Sequence, residues 1–241
     1  MCAEIGIDYE LHELPNGSTE RELCRTIDRL NQDDRASAIM VHMPIPIGID
    51  TYTVQSAIAP AKDVEGVNPA NIGNIVYGRS SIAPCTALAV LKMIESTGID
   101  LRGKFAVCVG ASDIVGKPVA VLLMQRQATV VSCTKYTRDI TELTRKADIL
   151  VTATGVPGLI RNDWVRNGAV VIDVGISRVP GADGKMRTVG DVKVAEVSEV
   201  ASWVSPVPGG VGPVTVAVLL ENVVAAAERM TGVYSSGNTK D

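Results

Sequence analysis

Apolar and polar positions alternate in blocks along the chain, and these blocks predict strands that alternate with helices. Four short, continuous apolar runs are each followed by a helical or turn-forming stretch, which is typical of buried parallel strands. The runs lie near residues 104–109, 129–134, 149–154 and 169–175. The pattern therefore predicts an α/β fold whose second half is a Rossmann-like unit with its own sheet.

The first 85 residues have a less regular pattern. Residues 8–14 alternate and predict a strand, residues 19–30 carry apolar side chains at helical spacing, and residues 38–43 predict a short buried strand. Residues 60–86 are rich in Pro, Gly and Asn and predict a long loop of the kind that often carries function. A helix is expected over residues 86–97.

The last part of the chain predicts a long amphipathic helix over residues 215–230 that ends at Gly232. We expect residues 235–241 to be a disordered tail. The last helix is expected to pack back on the first part of the chain. The pattern divides the chain into two domains, which are residues 1–85 together with the helix 215–232, and residues 86–205.

The composition excludes several classes of function. The chain has 23 Lys and Arg against 27 Asp and Glu, with the two signs interspersed, so it offers no basic surface to nucleic acid. Only 3% of the residues are aromatic, so the core must consist mainly of Val, Ile, Leu and Ala. The sequence has no apolar run of about eighteen residues and no signal-peptide pattern. We therefore expect no membrane partner.

The cysteines and histidines give no sign of a metal site. Five cysteines are scattered without a CxxC pair, which is typical of reduced thiols in a cytoplasmic protein. The two histidines, His12 and His42, are too few for a histidine-rich site. We expect no bound metal and a cytoplasmic location.

A glycine turn follows the apolar run that ends at residue 109. Residues 110–118 read GASDIVGKP and lead into a helical stretch. A turn of this kind lets backbone N–H groups and the helix dipole meet a pyrophosphate. The GxGxxG spacing is not met, because Ser112 replaces the second glycine and Gly116 comes one residue late. Dinucleotide binding and a plain tight turn both remain open from these residues alone.

The end of the second predicted strand bears on the choice of dinucleotide. NAD-binding proteins usually place an acidic residue here, to bind the ribose 2′-hydroxyl. This chain has Lys135 and Arg138 instead, and no acid before Asp139. The two cations favour a 2′-phosphate and hence NADP, unless they are simply solvated charges in a loop.

A Pro- and Gly-rich stretch, residues 206–215, precedes the last helix and predicts a stiff loop that a flat ligand can approach closely. With this stretch the sequence resembles the bifunctional methylenetetrahydrofolate dehydrogenase/methenyltetrahydrofolate cyclohydrolases. The similar stretches occur in family order over nearly the whole chain. They are residues 2–7, 41–46, 60–66, 84–86, 110–118, 171–176, 190–192 and 206–215.

The resemblance implies a homodimer of two-domain subunits, with an N-terminal α/β catalytic domain and a Rossmann-like NAD(P)-binding domain. Tetrahydrofolate derivatives and NAD(P) would meet in the cleft. The family oxidises 5,10-methylenetetrahydrofolate and hydrolyses the methenyl product to 10-formyltetrahydrofolate. The implied contacts are Gly110, Ala111 and Ser112 to the cofactor phosphates, Lys135 to the adenosine ribose, Ile176 to the nicotinamide side, and Asp63, Glu65, Pro208 and Gly209 to the folate.

The chain departs from the family at its start. The family's catalytic Lys and its companion Tyr belong to a segment that precedes residue 1, together with the opening strand and helix, so the first domain would be incomplete. We expect hydrolysis to be lost or weakened. The alternative is a non-catalytic or cyclohydrolase-deficient homologue that binds dinucleotide and folate. A shikimate dehydrogenase relative does not explain residues 206–215.

Three substitutions also separate this chain from the family pattern. His42 replaces the glutamine that orients the Lys, Glu65 replaces the second acid of the pterin-binding motif, and Ala111 replaces the Arg that binds the 2′-phosphate. We take His42, Asp63 and Glu65 as the catalytic candidates. Without the Arg the preference for NADP over NAD rests on the missing acid at the second strand, and NAD remains possible.

Overall fold

The structure is a computed structural model that describes residues 2–79, 82–181 and 184–232. Its strands are β1 (Phe105–Val109), β2 (Thr129–Cys133), β3 (Ile149–Thr152), β4 (Val170–Asp173), β5 (Ser177–Pro180), β6 (Met186–Val189) and β7 (Trp203–Val204). Its helices are α1 (Glu20–Gln32), α2 (Thr51–Ala57), α3 (Pro69–Val76), α4 (Cys85–Ser96), α5 (Gly116–Gln125), α6 (Ile140–Thr144), α7 (Val194–Val197) and α8 (Val211–Thr231).

A parallel sheet forms the centre of the second half, in the order β2-β1-β3-β4-β7. Val109 pairs with Cys133 on one side and with Thr152 on the other, and Thr152 pairs in turn with Asp173. The carboxyl ends of these strands therefore lie along one edge of the sheet. The prediction of a doubly covered parallel sheet is confirmed, and the four predicted strands are found within two residues of their expected bounds.

Helices cover both faces of this sheet. Along β3, Ile149 and Val151 point into a core shared with α4, α5 and α8, and Leu150 points into a second core with Ile160 and Val197. Successive side chains of a strand face opposite sides, so a strand that is covered twice must be apolar throughout. This explains why the strands appear in the sequence as unbroken apolar runs.

Helix α1 confirms the helix expected at residues 19–30. Thr19 caps it, since the Thr19 side chain accepts from the backbone of Glu22 and the Glu22 carboxylate accepts from the backbone of Thr19. Its buried side chain Ile27 packs with Ile39, Val54 and Ile58 in a small separate core. The helix expected at residues 86–97 is α4, which lies one residue earlier.

Two strand predictions in the first half were wrong. Residues 8–14 form no regular element, and Tyr9 and Leu11 are exposed. Residues 38–43 contribute a single parallel bridge between Ile39 and Asp63. A strand is stabilised by ladder hydrogen bonds to a neighbour, and no neighbouring strand lies beside either segment within the part of the chain that the structure describes.

One helix was not expected from the sequence, and another begins earlier than expected. The loop predicted at residues 60–86 contains α3, which Asn68 caps and Pro69 begins. Helix α8 starts at Val211 and not at residue 215. Pro213 is compatible with this earlier start, because it lies in the first turn of the helix, where a proline costs no hydrogen bond. Its end at Gly232, with φ +68°, is confirmed. The tail expected at residues 235–241 lies outside the described residues.

Helix α8 is, within the described ranges, the one helix long and apolar enough to cross a membrane, with a mean hydropathy of 1.5 over its best window and 22% of that window buried. No such segment was expected from the sequence. The helix packs against α4 and carries the buried, hydrogen-bonded Asn222 on its inner face. The core helix of a globular domain meets the same length and hydropathy criterion.

Candidate active site

A cavity of about 170 Å³ lies between the loops of the first half and the glycine turn that follows β1. Its wall is mostly apolar, and Glu65 is the one ionisable side chain among the described residues that line it. The lining residues are Val41, Met43, Thr51, Val54, Gln55, Ile58, Glu65, Val67 and Ile114. The cavity thus joins residues that the sequence analysis assigned to the folate side and to the dinucleotide side.

Glu65 titrates unusually in this wall. Burial of its carboxyl, followed by the negative charge of Asp63, raises the pKa of Glu65 to about 7, although a hydrogen bond from the backbone of Val41 opposes the rise. A carboxyl with such a pKa accepts N–H bonds when ionised and donates a hydrogen bond when protonated. Glu65 can therefore change its hydrogen-bonding pattern near neutral pH.

Asp63 has a different environment, although it lies only two residues away. Its carboxylate is fully buried and accepts from the backbone N–H of Gly66 at 3.1 Å and of Asn68 at 2.7 Å, and from the Asn71 amide at 2.8 Å. These bonds shape the loop that presents Glu65. A direct contact of Asp63 with folate stays a prediction.

Lys62 holds the other end of this loop, and the sequence analysis did not single it out. Its buried ammonium donates to three carbonyls at the end of α1, those of Leu30 at 3.0 Å, Asn31 at 2.8 Å and Asp33 at 2.8 Å. A lysine has three N–H donors, so all of them are used here. Lys62 is therefore a cap for α1, and only its position before Asp63 hinted at this role.

His42 lies beside the cavity without lining it. Its two neighbours, Val41 and Met43, both belong to the wall, whereas His42 is exposed to solvent. The structure does not bring the imidazole together with Glu65 inside the cavity. A role for His42 as a replacement base stays a prediction.

The glycine turn after β1 has the form expected for a phosphate-binding loop. Gly110 has φ +105°, and a Cβ on it would overlap the Ala153 carbonyl at the end of the neighbouring strand β3. Gly116 begins α5, and a Cβ there would overlap the Gly110 carbonyl. Ser112 is exposed, and its hydroxyl accepts from the Gly116 backbone at 3.3 Å. The turn thus leaves Ala111 and Ser112 at the N-terminus of α5.

Lys135 stands near this turn at the end of the next strand. Val109 and Cys133 are register partners, so Ala111 and Lys135, each two residues further, lie at the same edge of the sheet. The Lys135 ammonium lies 5.1 Å from the centre of the Tyr136 ring, and both side chains are exposed. Arg138 is also exposed on this loop. The placement supports a cationic site for a 2′-phosphate.

Two buried carboxylates, those of Asp173 and Asp191, lie at the edge of the sheet where β3 and β4 end. Asp173 accepts from the backbones of Gly175, Asp191 and Val192 at 2.8 to 3.1 Å, and burial raises its pKa against these bonds. One oxygen of Asp191 accepts from Thr152 and Thr154, while the other, Oδ1, has no partner. The sequence analysis matched residues 190–192 to the family but gave these residues no role.

The remaining site candidates are exposed and do not line the cavity. Ile176 follows β4 and is 67% exposed, on the edge that also carries the glycine turn. Pro208 and Gly209 are exposed in the loop that enters α8, and neither lines the cavity. Gly209 has φ +101°, a conformation that favours glycine. Their contacts to nicotinamide and folate stay predictions.

The described residues contain no group of three or more His, Cys, Asp or Glu side chains placed to hold a metal ion. The polar groups of the site are those of the Glu65 loop, the glycine turn and the two carboxylates at the sheet edge. This arrangement can bind a flat, hydrogen-bonding ligand in the cavity next to a dinucleotide at the turn.

Comparison with known families gives two matches. Residues 1–65 match the catalytic domain of tetrahydrofolate dehydrogenase/cyclohydrolase, and residues 84–231 match the NAD(P)-binding domain of the same family. The second match includes α8, which the sequence analysis grouped with the first domain.

Individual relatives agree with this result. The chain is 48% identical over 231 residues to the bifunctional protein FolD 2 of Mesorhizobium japonicum, covering 96% of this chain and 76% of the relative. It is 49% identical over 228 residues to bifunctional FolD of Moorella thermoacetica, covering 95% and 80%.

Solved structures show the same architecture. The bifunctional FolD dehydrogenase/cyclohydrolase of Campylobacter jejuni has a TM-score of 0.90 and 43% identity, covering 95% of this chain and 80% of that one. The Trypanosoma brucei enzyme, solved with NADP and an inhibitor, has a TM-score of 0.90 and 38% identity, with 97% and 80% covered.

Proposed function

The chain belongs to the tetrahydrofolate dehydrogenase/cyclohydrolase family, and from this membership we propose that it oxidises 5,10-methylenetetrahydrofolate with NADP. The second reaction of the family, hydrolysis of the methenyl product to 10-formyltetrahydrofolate, takes place at the same site. The protein is thus an enzyme of one-carbon metabolism, from a family that joins an oxidoreductase to a hydrolase activity.

One observation supports this function most directly. The cavity that contains the Glu65 carboxyl is also lined by Ile114, which belongs to the turn after β1. A pterin in the cavity would therefore lie against the element that binds the dinucleotide. Hydride transfer needs two rings held in contact, and this shared wall supplies that proximity.

The residues of the second half fit NADP. The turn at Gly110, Ala111 and Ser112 places backbone N–H groups at the N-terminus of α5, where the helix dipole favours phosphate. Lys135 stands at the neighbouring strand end for the 2′-phosphate, and Ile176 stands on the nicotinamide side. When bound, the nicotinamide of NADP accepts a hydride.

The residues of the first half bind and orient the folate. Ionised Glu65 accepts N–H bonds from the pterin edge, and its extra methylene relative to the family's Asp brings the carboxylate further into the cavity. The apolar side chains Val41, Val54 and Ile58 exclude water around the reacting carbon. Asp63 keeps the Glu65 loop in place through its three accepted hydrogen bonds.

A second candidate function, oxidation without efficient hydrolysis, is favoured by a specific observation. No lysine lines the cavity within the described residues, and Lys62, the lysine next to the pterin-binding loop, uses all three donors on backbone carbonyls. The cavity wall as described thus contains no cationic proton carrier for the hydrolytic step.

The test of the proposed function follows NADPH formation from 5,10-methylenetetrahydrofolate by absorbance. We expect NADP-dependent turnover that Glu65→Ala reduces by about tenfold or more through KM for the folate, because one hydrogen-bonded charge is lost. The exposed Glu199→Ala is the matched control and should retain the parental rate. Absence of turnover and of folate binding by the parent chain would reject the proposed function.

Three further properties are proposed on the resemblance to the family. The enzyme is a cytoplasmic homodimer, and its formylated product serves purine biosynthesis. A cytoplasmic location is supported by the five cysteines, all of which have free thiols in the structure. The interspersed positive and negative charges support the proposal that the protein binds neither nucleic acid nor a membrane. Sedimentation equilibrium tests the dimer, and a monomer at micromolar concentration would contradict it.

A further inference from the structure

We propose that Asn222 on α8 is a positioning residue for Glu65, which fixes from the far end of the chain where this carboxyl stands in the cavity. The inference rests on the proposed function, since it concerns the same folate site. Asn222 is buried, and its Nδ2 donates to the backbone carbonyl of Val64 at 2.9 Å. Val64 directly precedes Glu65, so this bond holds the peptide group from which the Glu65 residue extends.

The other side of the same loop is held by the start of α4. The Cys85 thiol donates to the Val64 carbonyl at 3.2 Å, and the Cys85 backbone N–H donates to the Glu65 carbonyl at 3.2 Å. The Asn222 amide also lies 3.4 Å from the Cys85 sulfur. Gly66 approaches the backbone of Ala83 so closely that no Cβ fits there. Both peptide carbonyls that flank the Glu65 side chain are therefore bonded.

Asn222 differs from these local ties because it links two segments that are both expected to contact folate. Helix α8 begins at Val211, separated by one residue from the Pro208 and Gly209 pair. Asn222 lies eleven residues further, about 16 Å along the helix axis. Its helix face also carries the buried Val218 and is packed on α4, so the helix is rigid between the two points. The helix thus sets the separation between the Glu65 loop and the loop of Pro208.

A purely structural asparagine would act differently. If Asn222 only satisfied the buried Val64 carbonyl, its loss would lower stability and leave folate binding and the titration of Glu65 unchanged. A positioning residue would alter both. The charged group that acts on Glu65 is Asp63 on its own loop, and Glu65 in turn raises the pKa of the Cys85 thiol at the start of α4. Loss of the Asn222 donor leaves the Val64 carbonyl with the Cys85 thiol as its donor, so the Glu65 loop can shift relative to both groups.

The kinetic test replaces Asn222 by leucine, which keeps the shape and removes the donor. We expect Asn222→Leu to raise KM for 5,10-methylenetetrahydrofolate by about tenfold and to change KM for NADP by less than about twofold. Val224→Ala, at an exposed position of the same helix, is the control and should change neither value. Equal changes in both KM values, or no change in the folate KM, would overturn the positioning role.

A second readout does not depend on activity. The carboxyl of Glu65 is titrated by carbon NMR in the parent chain and in Asn222→Leu, and we expect its midpoint to move by about 0.5 pH unit or more. An unchanged midpoint in a folded variant would overturn the proposal even if the parent chain had no turnover. If the leucine variant does not fold, Asn222→Ser replaces it, because a serine hydroxyl is too short to reach Val64. Asn222→Gln keeps the amide and should recover part of the parental folate KM.

Discussion

Glu65 and Asp63 carry the same chemical group two residues apart, yet they have different roles. Asp63 receives three N–H donors and serves as the internal support of its loop. Glu65 receives one backbone donor and faces an apolar cavity, so its charged form is poorly stabilised and its pKa rises to about 7. The difference in donors, not the difference in side-chain length, decides which carboxyl is available to a ligand.

The first prediction concerns the pH dependence of stability. Below pH 4.5 the Glu65 carboxyl is protonated in both the folded and the unfolded chain, whereas between pH 4.5 and about 7 only the unfolded chain loses this proton. Stability from this group is therefore complete at low pH and is lost as pH rises through about 7. Glu65→Gln has no carboxyl to titrate at this position. The fall in its unfolding free energy between pH 5 and 8 should therefore be smaller than that of the parent chain by roughly 2 kcal/mol.

Urea denaturation at pH 5 and pH 8 measures this difference. The exposed Glu142→Gln is the matched control and should follow the parental chain at both pH values. Identical pH dependence for the parent chain and Glu65→Gln would show that the Glu65 carboxyl is not raised in pKa in solution.

A second prediction at this scale concerns Lys135. Ala111 offers no charge to a 2′-phosphate, so Lys135 at the neighbouring strand end should be its main side-chain partner. Lys135→Ala is expected to weaken NADP binding by about 1 to 2 kcal/mol and to leave NAD binding nearly unchanged. Calorimetric titration with both dinucleotides measures this, with Lys146→Ala as a control. Equal losses for NADP and NAD would assign the phosphate to another group, of which Arg138 is the nearest in sequence.

Single residues could be identified from the sequence only where the chemistry is local. Glu65 and Lys135 stand in short motifs whose neighbours already indicate their use. The roles of Lys62 and Asn222 could not be identified in this way, because their partners are the end of α1 and the Val64 carbonyl, which lie 29 to 32 and 158 residues away. Contacts of that range depend on tertiary packing, which a sequence pattern does not encode.

Among the elements, those buried on both sides were predicted best. The strands β1, β3 and β4 are covered on both faces and, apart from Thr152 and Asp173 at two strand ends, consist of apolar residues, and such runs are visible in the sequence. The segment 8–14 instead alternates apolar and polar residues but has no neighbouring strand to pair with among the described residues, and alternation alone does not make a strand. The hairpin of β5 and β6 was missed because its side chains are partly exposed and give no clear pattern.

The element-scale prediction concerns the end of β4. A Cβ on Gly175 would overlap the buried carboxylate of Asp191, which bonds Thr152 at the end of β3. Gly175→Ala must displace this carboxylate from its donors, so we expect a loss of about 2 kcal/mol or more in unfolding free energy and weaker dinucleotide binding. Gly212→Ala, a helical glycine with open space around it, should be neutral or slightly stabilising. Similar stabilities for the two variants would contradict the crowding at Gly175.

At the scale of the whole molecule, the site is assembled from three separate parts of the chain. The loop of Glu65 and the glycine turn after β1 share the cavity wall, and α8 packs on α4 and bonds the Glu65 loop through Asn222. Alternating strands and helices predict the fold class and the dinucleotide edge. The position of Ile114 in the folate-side wall could not be predicted, since it depends on how the two halves of the chain pack together.

The last prediction separates the two reactions of the family in the 241-residue chain. Oxidation requires the protein to hold two rings together away from water, and the cavity offers a mostly apolar wall that includes Ile114 of the glycine turn. Hydrolysis of the methenyl cation also needs water delivered and a proton moved at one carbon, yet the cavity has no lysine within the described residues and Lys62 is fully engaged. We therefore expect NADPH formation well above background and loss of methenyltetrahydrofolate absorbance close to the spontaneous rate. If the chain hydrolyses the substrate rapidly and His42→Ala abolishes this activity, the exposed imidazole beside the cavity is the proton carrier. If rapid hydrolysis survives His42→Ala, the step needs no cationic side chain at this wall.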